Sequence, residues 1–120
     1  LPELFDYLEK IGFRAITYMP SRNTKNQLIR VRELCEQHEF MQISGEDINQ
    51  PRQKFISAQL RDSMFSNLFD SAWALVGHEK KAMINKDKGM QSSDVRGKYP
   101  NLNSRIQLFS KLGRGIIDNA

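Results

Sequence analysis

Cysteine is almost missing from this chain: Cys35 is the only one in 120 residues. A single thiol excludes an internal disulfide and suits a reducing compartment, so a cytoplasmic setting is expected. Long apolar runs are missing too. None approaches the roughly 20 residues that a membrane-spanning helix needs, which argues against a membrane partner. A secretory leader, with its basic start, apolar stretch and small-residue cleavage site, is not visible either. There is no internal repeat and no low-complexity segment. The chain begins at Leu1 rather than at methionine and reads as an excerpt or a processed product.

What is present is an ordinary globular composition, 39% hydrophobic and 27% charged, enough for one domain with a buried core. Cys35 falls on the apolar side of a predicted helix and reads as a small buried hydrophobe. Charge is uneven. Residues 1–50 hold 6 Lys/Arg and 8 Asp/Glu, whereas residues 51–120 hold 12 and 6. The basic half could attract phosphates. Its charges are scattered with few aromatics between them, which argues for a solvated surface and against nucleic-acid binding.

Pro2 suits the first turn of a helix, Leu4, Phe5, Leu8 and Ile11 recur at helical spacing, and Gly12 is a natural stop. This predicts a helix over 2–11. Phe13 to Met19 is β-branched and aromatic and ends at Pro20, which predicts a strand. Thr24 and Gln27 have the form of a capping box. Leu28, Val31, Leu34 and Cys35 give the following helix, about 25–38, its apolar face, and Arg32 and Glu36 a possible ion pair. Phe40 to Ser44 reads as a second strand, short and apolar as in a parallel sheet covered on both faces. The strand–helix–strand unit over 13–44 should have a right-handed crossover. Beyond Pro51, Phe55, Ile56 and Leu60 suggest a short helix. Phe65, Leu68, Phe69, Ala72, Trp73 and Val76 suggest a longer one with Trp73 in the core. Asn85 to Gly97 reads as a loop. Leu102, Ile106, Phe109 and Leu112 mark a last helix stopped near Gly113.

In parallel α/β architectures, working residues gather beyond the carboxyl ends of the strands. Two such ends are visible: Tyr18-Met19-Pro20-Ser21-Arg22-Asn23, and Ser44-Gly45-Glu46-Asp47-Ile48-Asn49 running on to Arg52. Asp47 and Asn49 are two apart, so in an extended segment they share a side, and both offer hard oxygen ligands for a divalent cation. An acidic turn that caps the next helix explains the same residues. Arg22 and Arg52 each lie just past a strand end, where a guanidinium can clamp a phosphate or simply face solvent.

The run Gly12-Phe13-Arg14-Ala15-Ile16-Thr17-Tyr18-Met19-Pro20-Ser21, a helix, and then Phe40-Met41-Gln42-Ile43-Ser44-Gly45-Glu46-Asp47-Ile48-Asn49 resembles the C-terminal part of the polymerase-and-histidinol-phosphatase (PHP) superfamily of metal-dependent phosphoesterases. Those proteins have a strand of the form G-hydrophobic-x-x-I-E-V-Y-Y-P, a helix, and a strand ending G-S-D-x-H. The resemblance covers about residues 2–55. Residues 56–120 resemble a helical extension found in some bacterial members.

The resemblance implies an α/β fold. It would be a partial parallel sheet with flanking helices, cut from a β/α barrel (1–55) and followed by a mainly helical extension of the same domain (56–120). It implies hydrolysis of a phosphate ester by metal-activated water, with zinc, manganese or magnesium as the cofactor. Asp47 matches the family's ligand aspartate. Asn49 stands where the family has a ligand histidine, Glu46 where it has serine, and Thr17 where it has glutamate. Glu46 and Asn49 are therefore auxiliary ligand candidates, and Arg22 and Arg52 phosphate candidates.

The family's early His-x-His pair would lie upstream of Leu1. His38, at a helix end, reads as a surface histidine, and His78 as a structural or capping residue, so neither replaces it. The isolated chain is expected to lack activity, and to hold little or no metal. A rival expectation is a binding or assembly module on a degenerate scaffold. Unpaired strand edges also predict self-association, by strand pairing or helix packing.

Overall fold

A computed structural model of the chain describes residues 1–46, 51–52 and 58–119. The chain divides into two compact units, residues 1–68 and 69–120.

In the first unit, α1 (Pro2–Lys10) buries Phe5 and ends at Ile11, with Gly12 at φ 96°. That left-handed value costs glycine nothing and lets the chain turn into β1 (Ala15–Tyr18). The strand is shorter than the apolar run suggested: Phe13 lies outside it and is exposed, and Pro20 opens a single 3-10 turn over Pro20–Arg22. α2 (Lys25–Gln37) begins with the expected capping box. Gln27 N–H donates to Thr24 Oγ1 at 3.3 Å, and Thr24 N–H donates to Gln27 Oε1 at 2.9 Å. Arg32 pairs with Glu36 at 3.0 Å and also donates to the Met64 carbonyl at 2.6 Å, tying α2 to the segment ahead of the next helix. β2 (Met41–Ser44) runs parallel to β1 in the register Ala15↔Met41 to Tyr18↔Ser44.

Two apolar clusters grip the sheet. Phe5, Leu34, Cys35 and Phe40 pack with Leu8, Ile16 and Val31. Tyr18, Leu28, Phe65 and Leu68 pack with Val31, Leu60 and Met64. Val31 touches both. Each fully buried large side chain contributes about 1.5–3 kcal/mol, far more than the few hydrogen bonds two such short strands can make. Among the described residues the fold is α/β and mostly helical, with one two-stranded parallel sheet. None of its helices is long and apolar enough to cross a membrane. The expected short helix at Phe55 and Ile56 lies outside the described residues; Ala58–Arg61 is a 3-10 turn.

The chain divides within α3 (Ser66–Ala82), and the second unit adds α4 (Ser93–Lys98) and α5 (Leu102–Arg114). Three expectations are corrected here. The polar stretch 85–97 is not all loop: a 3-10 turn over Lys86–Lys88 leads to α4, where Val95 N–H donates to Ser92 Oγ at the helix start. Gly113 does not stop α5; the helix ends at Gly115, which takes φ 76°. Trp73 is not core but 42% exposed.

The last two corrections share a cause. α3 and α5 cross where Gly77 and Gly113 meet. A Cβ on Gly77 would overlap the Phe109 carbonyl oxygen, and one on Gly113 the Trp73 carbonyl oxygen. The face of α3 toward α5 must therefore be small, and within the second unit Ser71, Ala74 and Gly77 are the buried positions of α3. Phe69, Trp73, Leu75 and Val76 are left exposed. Lys80 seals the crossing by donating to the carbonyls of Leu112 (3.1 Å) and Gly113 (3.2 Å) near the C-terminus of α5.

Glycine substitutions separate crossing from propensity. Gly77→Ala is expected to lower stability by about 2 kcal/mol or more, because backbone must move to admit the methyl group. Gly97→Ala, inside α4 with nothing within 4 Å of the new atom, is expected to be neutral or to stabilise by roughly 0.5–1 kcal/mol. Urea denaturation of the two variants checks both; equal effects would contradict the crossing.

Cys35 gives a pH expectation. Burial pushes its thiol from 9.0 up to about 11. The folded chain then holds the proton more tightly than the unfolded chain, so this contribution to stability is complete below about pH 9 and is lost as pH rises towards 11. The urea midpoint of wild type should fall across that window more steeply than that of Cys35→Ala. Alkylation of the native thiol near neutral pH should be slow and become normal in urea.

Candidate functional site at the strand ends

The parallel register carries both strand ends to the same edge of the sheet. Gly45 N–H donates to the Tyr18 carbonyl at 2.8 Å, extending the ladder by one bond past Ser44. The next residue, Glu46, reaches across to the other strand's loop. Its carboxylate accepts the Ser21 backbone N–H at 2.8 Å on one oxygen and the Ser21 hydroxyl on the other. Ser21 sits in the 3-10 turn that Pro20 opens, and Asn23 closes that turn by donating to the Met19 carbonyl at 2.8 Å. Residues 25 positions apart are thereby fastened into one rim.

Beside the rim is an open cleft of about 570 Å³ lined by Thr17, Tyr18, Met19, Asn23 and Gly45. Its size suits a small ligand. Thr17 is exposed at this edge. Gly45 keeps the cleft narrow at its base, where a Cβ would come within 3.2 Å of Thr17 Cβ. Below the cleft is a buried polar network. Tyr18 Oη donates to Gln42 Oε1 at 2.9 Å, and Asn67 Nδ2 donates to the same oxygen at 3.3 Å. Burial pushes the Tyr18 phenol above its ordinary value, against an opposing hydrogen bond with Asn67, so it stays protonated as the donor.

Of the residues singled out in the sequence, Glu46 is at this rim and its charge is already engaged by Ser21. Arg22 is exposed in the neighbouring turn and Arg52 is exposed in its own turn; among the described residues neither makes an ion pair. Asp47 and Asn49 lie outside the described residues. His78 is structural: its Nδ1 accepts the Met90 N–H at 2.9 Å, with Gly89 close against the ring.

His38 departs from expectation. Its side chain is only 10% exposed, set between Phe5 and Phe40 at ring-centroid distances of 5.7 and 6.1 Å. Its Nδ1 lies 2.8 Å from Glu9 Oε2 and its Nε2 3.7 Å from Asp6 Oδ1. The three donor groups lie within 4.8 Å of one another, a set that could hold a divalent cation. The two ring nitrogens face different carboxylates, however. The ring thereby bridges two carboxylates of α1 from the C-terminal end of α2. Asp6 and Glu9, three apart on the polar side of α1, were the legible half of this cluster; nothing local in the sequence brings His38 to them.

Compared with protein-family models, with curated proteins and with solved structures, the chain matches none.

A double-mutant cycle on Ser21→Ala and Glu46→Gln measures the rim. A hydrogen-bonded carboxylate of this kind is expected to show a coupling of about 1 kcal/mol or more in stability. Strictly additive effects would mean the Ser21 hydroxyl does not hold the carboxylate.

Proposed function

We propose that the chain forms part of a metal-dependent phosphoesterase of the PHP type. In such an enzyme a divalent cation would be held beyond the second strand and the phosphate ester bound at the shared strand edge. The observation that supports this reading is the Ser21–Glu46 junction, which joins the residues just past the two strands at the carboxyl edge of a parallel pair, beside a ligand-sized cleft. In this reading Asp47 supplies the first ligand to zinc, manganese or magnesium, with Glu46 and Asn49 as auxiliaries. The metal would supply an activated water and neutralise developing charge on the ester. Arg22, exposed beside Ser21, and Arg52 offer bidentate donors to the phosphate.

A second reading, a binding or assembly module, draws on two features. Thr17 and Asn49 stand at positions where the resembled family has ionisable ligands. The Glu46 carboxylate also has both oxygens engaged within the protein.

Metal and phosphate binding separate the two. On the phosphoesterase reading, a full-length protein that carries this chain together with the family's upstream ligands should load with manganese or zinc in equilibrium dialysis, and Asp47→Ala in it should reduce the bound metal by about tenfold or more. Inorganic phosphate should bind the loaded protein and weaken in Arg22→Ala and Arg52→Ala. Equal metal content in wild type and Asp47→Ala would overturn the assignment and leave the binding-module reading.

A further inference from the structure

His38 is held more firmly than a residue at a helix end needs to be. It caps the C-terminus of α2, and Phe5 of α1 and Phe40, just ahead of β2, fix the plane of its ring from two sides. Asp6 and Glu9 are three apart on α1, so their side chains stand on one face and meet the ring together. None of the three lines the strand-end cleft.

The two nitrogens of the ring are not equivalent. Nδ1 lies 2.8 Å from Glu9 Oε2. A carboxylate only accepts, so the ring proton belongs on Nδ1 and the lone pair on Nε2. The side chain is only 10% exposed, yet Nε2 makes no hydrogen bond among the described residues. The group on its side is Asp6, with Oδ1 at 3.7 Å. A lone pair thus faces a carboxylate, two acceptors with nothing to share. A second ring proton does not join them, because 3.7 Å is beyond hydrogen-bond reach. A cation does. Two ligands of one tetrahedral zinc, each bonded at about 2.0–2.2 Å, stand about 3.4 Å apart. A small movement of Asp6 closes the difference. Its side chain is 69% exposed, which leaves it free to move and gives the ion and its waters a way in.

We propose that His38 Nε2 and Asp6 bind one zinc ion, with Glu9 orienting the ring through Nδ1, and that the ion clasps α1 to the end of α2. Asp6, Glu9 and His38 each bring a ligand atom within 4.8 Å of the others, and water fills the remaining positions. A carboxylate behind a metal-bound histidine fixes its tautomer and raises the basicity of the nitrogen that binds, which is the part Glu9 takes. The donor set chooses the ion. Imidazole with carboxylate oxygen suits zinc, whereas magnesium and calcium take oxygen ligands. The site also has something to hold, since Phe5 is the one buried residue that anchors α1.

The experiment is a titration of the chain with zinc chloride near neutral pH, followed by calorimetry and by nitrogen-15 spectra of its two histidines. One zinc per chain should bind. The Nε2 resonance of His38 should move while those of His78 stay, and the urea midpoint should rise with zinc. Asp6→Asn and Glu9→Ala, both at exposed positions, should each weaken zinc binding about tenfold or more and shrink the rise in the midpoint. The acids carry the test because His38→Ala would also remove a ring packed between Phe5 and Phe40. Glu3→Gln, an exposed acid on the same helix, should leave binding unchanged, and magnesium chloride at the same concentration should leave the spectra unchanged. No bound zinc would overturn the inference. So would binding indifferent to both Asp6→Asn and Glu9→Ala, movement at Nδ1 or at His78 in place of His38 Nε2, or an equal response to magnesium. Zinc held only at the strand ends would leave both histidines unmoved, which separates this clasp from the phosphoesterase reading.

Discussion

Two strands of four residues each, paired in parallel, cannot hold themselves together. Everything in residues 1–68 follows from how that pair is clamped. α2 is the crossover that parallel pairing requires, and its capping box and Arg32 contacts fix where it starts and where it lies. Leu34 and Cys35 press one end of the sheet and Leu28 the other, with Val31 between them. The clamp leaves the carboxyl edge open, and there the Ser21–Glu46 junction takes over from the backbone ladder. An acidic residue at the end of an apolar strand is thus a fastener, whatever its neighbour Asp47 does.

The second unit solves a different problem by removing side chains. Gly77 and Gly113 let two helices touch backbone to backbone, and Lys80 caps the carbonyls beside the contact. The unit also carries all of the net charge: residues 69–120 hold nine Lys/Arg against five Asp/Glu, whereas residues 1–68 hold nine of each. Arg114 shows how some of that charge is absorbed locally. It pairs with Asp70 at 3.2 Å and lies over the Trp73 ring at 5.5 Å.

The candidate site and the outward strip of α3 belong to different units and ask for different things. The rim and cleft of the first unit are polar, small and held by hydrogen bonds to backbone, suited to orienting a compact charged ligand. The α3 strip is apolar and extended along a helix, suited to burying area.

Local signals in the sequence determined the first half of the chain well. Pro2, Gly12, Thr24 with Gln27, and the alternation from helical to strand spacing each act over a few residues, and α1, β1, α2 and β2 appear where those signals stand. The stop at Pro20 and the i,i+4 pairing of Arg32 with Glu36 are of the same kind. Tertiary structure alone decided the rest. Gly113 has the composition of a helix stop, but a crossing partner at Gly77 makes it an interior residue. Trp73 has the composition of a core residue, but Ala74 and Gly77 take the face that packs against α5, where Gly113 approaches the Trp73 carbonyl. His38 has the position of a surface residue, but α1 brings Phe5, Asp6 and Glu9 over it. In each case the deciding contacts come from 29 or more positions away along the chain, and no local periodicity records them.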